Sequence, residues 1–247
     1  MPAIRRSSSL TVENEPFLRE LRRIIPTISI SDFKPEISGL YLRAKKKELI
    51  LTGTDTFRLA ESKIKQFESE GEFAHIIPLR PLAEFLRSAP FDGETTLDFG
   101  EGQVSIETGS IRIVSRLIGG RYPEYENLIP TEFSATIRAP REELLSAVRL
   151  SGIFQSKLND VVLSYRAGNL ALEITNPEVG THRREIEARI SGKPGRVAFN
   201  HRYLSDALEA LSAPEAALFV TDEARPAVLR DENDPTFFTI LMPIRTS

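Results

Sequence analysis

Two hydrophobic patterns alternate along the chain. Apolar side chains recur at every second position over residues 40–42 and 49–51, a spacing that predicts strands with one buried face. Over residues 16–25, and again around residues 82–86, they recur every three to four positions. That second spacing predicts amphipathic helices. Together the patterns indicate an α+β fold.

The second half of the chain repeats the first. Residues 39–55 align with residues 161–176 at an offset of about 121, and two later stretches align in the same order. We therefore predict two domains of common topology, each with two helices. Because a helix followed by strands occurs twice within each copy, we also expect an internal pseudo-twofold in each domain. The predicted division lies near Pro130 to Glu132. The expected segments are a flexible leader over residues 1–9, one domain over residues 10–131 and another over residues 132–247.

Composition excludes several classes of protein. The chain has no cysteine and only three histidines, so we expect no disulfide, no metal site and no cofactor. No uninterrupted apolar run approaches the roughly 18 residues that a membrane helix needs, which favours a cytoplasmic protein without a membrane partner. The common nucleophile, phosphate-loop and zinc-protease motifs are missing, and an unrecognised enzyme is the least favoured interpretation.

Arginines lie opposite the apolar stripes of three predicted helices. The first helix is expected to begin after Asn14 as its N-cap. Every amphipathic helix needs a polar face, so one such helix means little by itself. The same arrangement on three helices of a chain with a net charge of -3 favours sequence-independent contact with the phosphates of duplex DNA. No aromatic residues are interleaved with these arginines, so stacking on the bases of single-stranded DNA is not indicated. The candidate DNA-facing residues are Arg19, Arg22, Arg23, Arg80, Arg87 and Arg149.

Three segments between or after these elements are candidates for binding. Residues 54–59, with the sequence TDTFRL, form a predicted turn in which Asp55 is a capping residue and Arg58 is either functional or simply solvated. Residues 119–125, GGRYPEY, read as a loop loosened by glycine and stiffened by proline. The apolar tail at residues 240–245, ILMPIR, must pack in a sheet or line a binding surface.

In these segments the chain resembles the β subunit of bacterial DNA polymerase III, the sliding-clamp family. The family patterns T-D-x-x-R-L, G-R-[FY]-P-[DE]-Y, F-N-x-x-Y-L-x-D-x-L and M-P-x-R begin here at residues 54, 120, 199 and 242, in the family's order. The resemblance runs from about Leu10 to Arg245 and covers the family's second and third domains. Thr56 departs from it, because glycine is frequent there, and so do the additional residues Thr246 and Ser247.

The resemblance implies tandem clamp domains, each with two helices packed on antiparallel sheets. It further implies a processivity factor, an accessory subunit and not an enzyme, that encircles double-stranded DNA with its helices lining the hole. Expected partners are DNA polymerases, clamp-loader and repair proteins, captured through short linear motifs. The pocket residues that the resemblance implies are Ile37, Thr54, Arg58, Leu59, Pro123, Leu128, Asn200, Tyr203, Ile240, Met242, Pro243 and Arg245.

The family's first domain has no counterpart in this chain, which leaves two interpretations open. A ring of six domains would need three copies of the chain as a homo-oligomer; a monomer is the leading expectation and a closed trimer the alternative. The runner-up function is a truncated peptide-binding module that does not encircle DNA. Retention on closed circular duplex distinguishes these functions.

Overall fold

The computed structural model describes residues 6–31, 33–152, 159–176, 178 and 180–245. Two compact units make up the chain, Met1–Glu124 and Tyr125–Ser247, called here the N-terminal and C-terminal units. Their division lies a few residues before the one proposed from the repeat. Residues 1–5 of the predicted leader, and Thr246 and Ser247, fall outside the described residues.

The predicted leader is wrong at its last residues. Ser8 and Ser9 are buried and open the first strand, β1 (Ser8–Glu13). Ser9 pairs with Asp98 in the ladder and its Oγ donates to that carboxylate at 2.7 Å. A partner so distant in sequence leaves no local signal, which is why this serine-rich stretch reads as a leader.

The N-terminal unit contains two groups of antiparallel strands. Five strands lie in the order β5-β1-β7-β8-β9 and four in the order β4-β3-β2-β6. The further bounds are α1 (Asn14–Ile24), β2 (Gly39–Lys45), β3 (Glu48–Thr54), β4 (Arg58–Ile64), β5 (Glu68–Ser69), β6 (Phe73–Pro78), α2 (Leu79–Ser88), β7 (Glu94–Gly100), β8 (Gln103–Thr108) and β9 (Ile111–Arg116), with short 3-10 helices at Ile25–Thr27 and Pro35–Ile37.

The C-terminal unit repeats this plan. Its strand orders are β14-β10-β16-β17-β18 and β13-β12-β11-β15, again antiparallel. The bounds are β10 (Ala135–Pro140), α3 (Arg141–Ser151), β11 (Asp160–Arg166), β12 (Asn169–Asn176), β13 (Gly180–Glu187), β14 (Arg189–Gly192), β15 (Gly195–Asn200), α4 (His201–Glu209), β16 (Glu215–Val220), β17 (Ala227–Arg230) and β18 (Phe237–Leu241), preceded by a 3-10 helix at Glu126–Leu128.

The α+β class and the tandem repeat are confirmed. Strands β2 and β3 correspond to β11 and β12, as the sequence offset predicts. Within each unit a strand, a helix and three strands occur twice, apart from the short additional strands β5 and β14, and this order agrees with the suspected pseudo-twofold. In the described part of the chain, none of the helices has the length and apolar character needed to cross a membrane.

In the N-terminal unit the core lies between the helices and the strands beneath them. The rings of Phe17 on α1 and Phe85 on α2 are 5.9 Å apart and fully buried. A Cβ on Gly53 of β3 would stand 2.9 Å from the Ile24 side chain. Glycine at this position therefore lets α1 approach the sheet closely.

Asn14 does not cap α1, which corrects the N-cap prediction. Helix α1 begins at Asn14 itself, and the preceding Glu13 occupies the capping position without a side-chain capping bond. The Asn14 side chain is fully buried and spans the strands behind the helix. Its Nδ2 donates to the carbonyls of Pro90 and Asp92 and to Thr108 Oγ1, and its Oδ1 accepts from Thr95 Oγ1.

Candidate functional site

The turn between β3 and β4 is held by one carboxylate. Asp55 Oδ1 accepts the backbone N–H groups of Phe57 and Arg58, both at 3.0 Å. The Arg58 Nε donates to Asp55 Oδ2 at 2.9 Å, and the Arg58 side chain is only 10% exposed. Asp55 is thus the capping residue that the sequence predicts, while the solvated alternative for Arg58 is wrong.

Hydrogen bonds bring four pocket residues of the N-terminal unit to this corner. Arg58 Nη2 donates to the Pro26 carbonyl at 2.5 Å, and Thr54 pairs across the ladder with Leu59. The backbone N–H of Ser29 lies 3.3 Å from the Ile37 carbonyl and 3.1 Å from that of Thr54. Ile37 and Leu59 are 3% and 6% exposed, so neither offers much apolar area to a ligand unless the surface moves.

Thr56, the departure from the family pattern, has a backbone φ of 78°. An L-residue in this left-handed region is strained, most of all when its side chain branches at Cβ, whereas glycine is not. The frequent glycine of the family therefore matches the conformation that the turn adopts here.

We expect Thr56→Gly to raise the free energy of unfolding by about 0.5–1 kcal/mol, because the relief of strain exceeds the entropy that glycine adds to the unfolded chain. Denaturant unfolding of the purified chain measures the change. Thr56→Ala is the matched control, since it keeps a Cβ and most of the strain. An equal gain in the two variants would contradict the assignment to backbone strain.

The loop after β9 presents one pocket residue and buries the residue before it. Gly120 has a φ of 112°, which reverses the chain at the predicted glycine pair. Tyr122 is buried while Pro123 is exposed, and the Tyr122 ring stacks on Tyr41 with centroids 4.4 Å apart. Pro123 is therefore held at the surface by a buried neighbour.

In the C-terminal unit the tail lies beside β15, the strand that leads into α4. The Ile244 N–H donates to the Ala198 carbonyl at 2.8 Å, and Ile244 and Arg245 line a cavity together with Arg196, Val197 and Ala198. Asn200, at the end of β15, caps α4 through Oδ1, which accepts from Arg202 N at 2.9 Å and from Tyr203 N at 3.4 Å. Its side-chain oxygen thus already has a structural role.

The exposure of the apolar residues in this unit varies widely. Ile240 on β18 is 5% exposed, whereas Met242 is 37% and Leu128, on the 3-10 helix, is 64% exposed. Met242 and Leu128 can therefore bury area on a ligand as they stand. Ile240 can do so only through the small part of its side chain that is exposed.

Five of the six DNA-facing candidates are exposed on their helices. Arg19 and Arg22 lie on α1, Arg80 and Arg87 on α2, and Arg149 on α3. Three of them have acidic partners. Arg19 Nε donates to Glu20 Oε1 at 2.7 Å, Arg87 pairs with Glu84, and Arg149 Nη2 lies 2.9 Å from Glu209 Oε1. The pairs of Arg87 and Arg149 are at the surface and are therefore weak, whereas Glu20 is buried.

Arg23 points inward, which corrects its assignment to the basic face. Its side chain is 6% exposed, and Nη1 donates to Glu20 Oε2 at 3.0 Å. Glu20 is itself 3% exposed and also accepts from Ser62 Oγ at 2.6 Å and from Arg19 Nε at 2.7 Å. Helical spacing placed Arg23 opposite the leucines, but a buried carboxylate draws it into the unit.

Comparison with known families explains the order of these features. Residues 11–124 match the model of the DNA polymerase III beta subunit central domain, and residues 126–245 match the model of its C-terminal domain. The chain belongs to the DNA polymerase III beta subunit family. The predicted family and the tandem clamp domains are thereby confirmed.

Relatives in this beta subunit family resemble the chain over its whole length. The beta sliding clamp of Staphylococcus aureus (strain Mu50 / ATCC 700699) is 27% identical, and the chain covers 66% of that protein. A sliding clamp structure from Bacillus subtilis has 26% identity and a TM-score of 0.95, and the match covers 100% of this chain and 67% of that one. A sliding clamp from Bartonella birtlesii bound to griselimycin has 25% identity, a TM-score of 0.91 and coverage of 100% and 68%. The chain thus spans about two thirds of the length of these relatives.

A second turn of the T-D-x-x-R type occurs in the C-terminal unit and was missed from the sequence. Asp222 Oδ1 accepts from Ala224 N at 2.9 Å and from Arg225 N at 2.7 Å, and Arg225 Nε donates to Asp222 Oδ2 at 2.7 Å. The Ala224 N–H, together with Arg225, lowers the pKa of Asp222 to about 2. A search for the spacing of residues 54–58 elsewhere in the chain finds this turn at residues 221–225.

Proposed function

We propose that the chain provides the DNA-tethering and partner-binding parts of a sliding clamp, an accessory processivity factor that encircles duplex DNA. The observation that carries the proposal is the succession of central and C-terminal beta subunit domains over residues 11–124 and 126–245. Exposed arginines on α1, α2 and α3 support it, since sequence-independent DNA binding rests on phosphate contacts. Such a role belongs in the cytoplasm.

Encirclement has a direct consequence for retention on DNA. A closed ring stays on circular duplex because it has no end to leave by, whereas a non-encircling module dissociates equally from both forms. Gel filtration of the chain incubated with linear plasmid, with and without later ligation of the plasmid into a circle, measures the difference. A ring closed by three copies of the chain should co-elute with the ligated circle and be lost from the linear plasmid. Equal elution in both samples would favour the peptide-binding module instead.

The proposal includes a pocket for short linear motifs of polymerases, clamp-loader and repair proteins. In the N-terminal unit Thr54, Arg58 and Pro123 would contribute polar contacts and a rigid edge. In the C-terminal unit Leu128 and Met242 would contribute apolar area. The sliding clamp bound to griselimycin supports the presence of a ligand site in such clamps. Affinity for a flexible peptide should be on the order of micromolar, because ordering it offsets part of the gain from burial.

We expect Met242→Ala combined with Pro243→Ala to weaken this binding by about tenfold or more, since a half-exposed apolar side chain and a rigid neighbour are lost together. Calorimetric titration with griselimycin, and with a short synthetic peptide carrying Leu and Phe anchors, measures the change. Phe91→Ala is the control, because Phe91 is also exposed and apolar but lies outside the proposed pocket. Unchanged affinity in the double variant would place the site elsewhere.

A further inference from the structure

The loop after β9 begins at Leu117, whose N–H donates to the Gly102 carbonyl at 2.7 Å, and it is attached to the N-terminal unit at two further points. At the first, the Ile118 N–H donates to the Ile76 carbonyl at 2.9 Å, forming an isolated bridge to β6. Gly39 makes room for this contact, because a Cβ there would lie 2.9 Å from Ile118 Cδ1. At the second point the Tyr122 ring lies on Tyr41 of β2, with an interplanar angle of 5°.

Between these two points the side chain of Arg121 and the two glycines before it are exposed. Gly120 turns the chain through a positive φ, and the Arg121 side chain is 84% exposed, paired with Glu124 at the surface. Tyr122, in contrast, is 5% exposed. Its burial, together with the neighbouring Tyr41, raises the pKa of its phenol well above the usual range. Tyr125, two residues after Pro123, is also buried, at 2% exposed. Two buried tyrosine side chains therefore flank Pro123, while Arg121 and Glu124 face solvent.

The position of Pro123 depends in part on the Tyr122 side chain. Pro123 follows Tyr122 directly, and its ring restricts its own φ but not the direction in which the loop as a whole points. An offset or parallel ring pair is favourable beyond the area that it buries. Removal of the Tyr122 ring would therefore release the chain between the bridge at Ile118 and Tyr125, the next buried side chain.

We propose that Tyr122 is a positioning residue for partner-peptide capture: by stacking on Tyr41 it holds Pro123 at the edge of the motif pocket, although its own ring does not touch the peptide. The inference rests on the proposed function, because it assumes that Pro123 contributes to a peptide site. It adds a residue pair, Tyr41 and Tyr122, on which affinity depends. The physical basis is preorganisation, because a loop that is already ordered loses little conformational entropy when the peptide binds.

Three variants test the inference. Tyr122→Ala removes the stacked ring, Tyr41→Ala removes its support from the other side, and Tyr122→Phe retains the ring. We expect the two alanine variants to bind griselimycin and the Leu- and Phe-bearing peptide about tenfold more weakly, and the phenylalanine variant to bind like the parent. Tyr41→Ala keeps the inference testable if Tyr122→Ala does not fold.

A second readout reports on the loop without any ligand. Trypsin cleaves after exposed arginine, so the rate at which the fragment ending at Arg121 appears measures how often the loop opens. We expect faster cleavage in both alanine variants and the parent rate in Tyr122→Phe. Faster cleavage with unchanged affinity would overturn the inference, as would parent-like behaviour in both measurements. If the parent binds neither probe, the pocket proposal fails and the inference falls with it.

Discussion

The triple variant Arg19→Glu, Arg22→Glu, Arg80→Glu should bind duplex DNA on the order of 100-fold more weakly than the parent, and its affinity should depend less on salt. Each arginine that contacts a phosphate releases about one counterion, so three lost contacts should reduce the slope of log K against log salt by nearly three. All three side chains are exposed on helices of the N-terminal unit. Fluorescence anisotropy of a labelled duplex at several salt concentrations measures both quantities.

The matched control makes the same change of charge on strands and turns. Lys47 is exposed in the turn after β2, and Arg116 and Arg166 are exposed at the ends of β9 and β11. Their replacement by glutamate alters the net charge equally. The control should lose little affinity if binding depends on the helix faces. Equal losses in the two triple variants would mean that net charge alone governs the association, and the assignment to α1 and α2 would be abandoned. Cooperative melting of both variants is required for the comparison.

Much of the fold could be predicted because the same hydrophobic pattern occurs in both halves of the sequence. The period-two leucines of β2 and β3 recur in β11 and β12, and two independent copies of one pattern leave little room for another topology. The helices could be predicted equally well, because Phe17, Leu18 and Leu21 on α1 are all buried as the helical spacing predicts.

The errors lie where a side chain finds a partner far away in the sequence. Asn14 looked like a cap because asparagine commonly precedes helices, yet it binds Thr95 and Thr108 on strands that follow much later. Ser9 reads as part of a leader, but Asp98 anchors it in the sheet. Local patterns carry no information about such contacts, so only the three-dimensional structure reveals them.

Motifs in the sequence pointed to candidate site residues but not to their geometry. The motif around Asp55 and Arg58 was found from the sequence, but nothing local indicated that Arg58 would reach the Pro26 carbonyl or that Ile37 would be almost fully buried. Tyr41 was not singled out at all, because a tyrosine on a strand has no distinctive spacing. Its importance comes from Tyr122, which stacks on it from a distant loop.

The largest effect on stability should come from Glu20→Ala, which we expect to lower the free energy of unfolding of the N-terminal unit by about 3–5 kcal/mol. Glu20 and Arg23 are 3% and 6% exposed, so removal of the carboxylate takes away a buried charged partner that lies 3.0 Å from the guanidinium. Ser62 also loses the acceptor of its hydroxyl, which lies 2.6 Å from Glu20 Oε2. Thermal and denaturant unfolding measure the loss.

Two further variants separate burial from charge pairing as the cause. Glu84→Ala breaks the surface pair with Arg87, in which both side chains are more than half exposed, and should cost at most about 1 kcal/mol. The double variant Glu20→Met, Arg23→Met removes both buried charges together and should recover most of the loss, because apolar side chains of similar volume avoid the desolvation cost. A double variant as unstable as Glu20→Ala would show that the hydrogen bonds of Glu20 to Ser62 and Arg19, and not the compensation of Arg23, determine the stability of this helix.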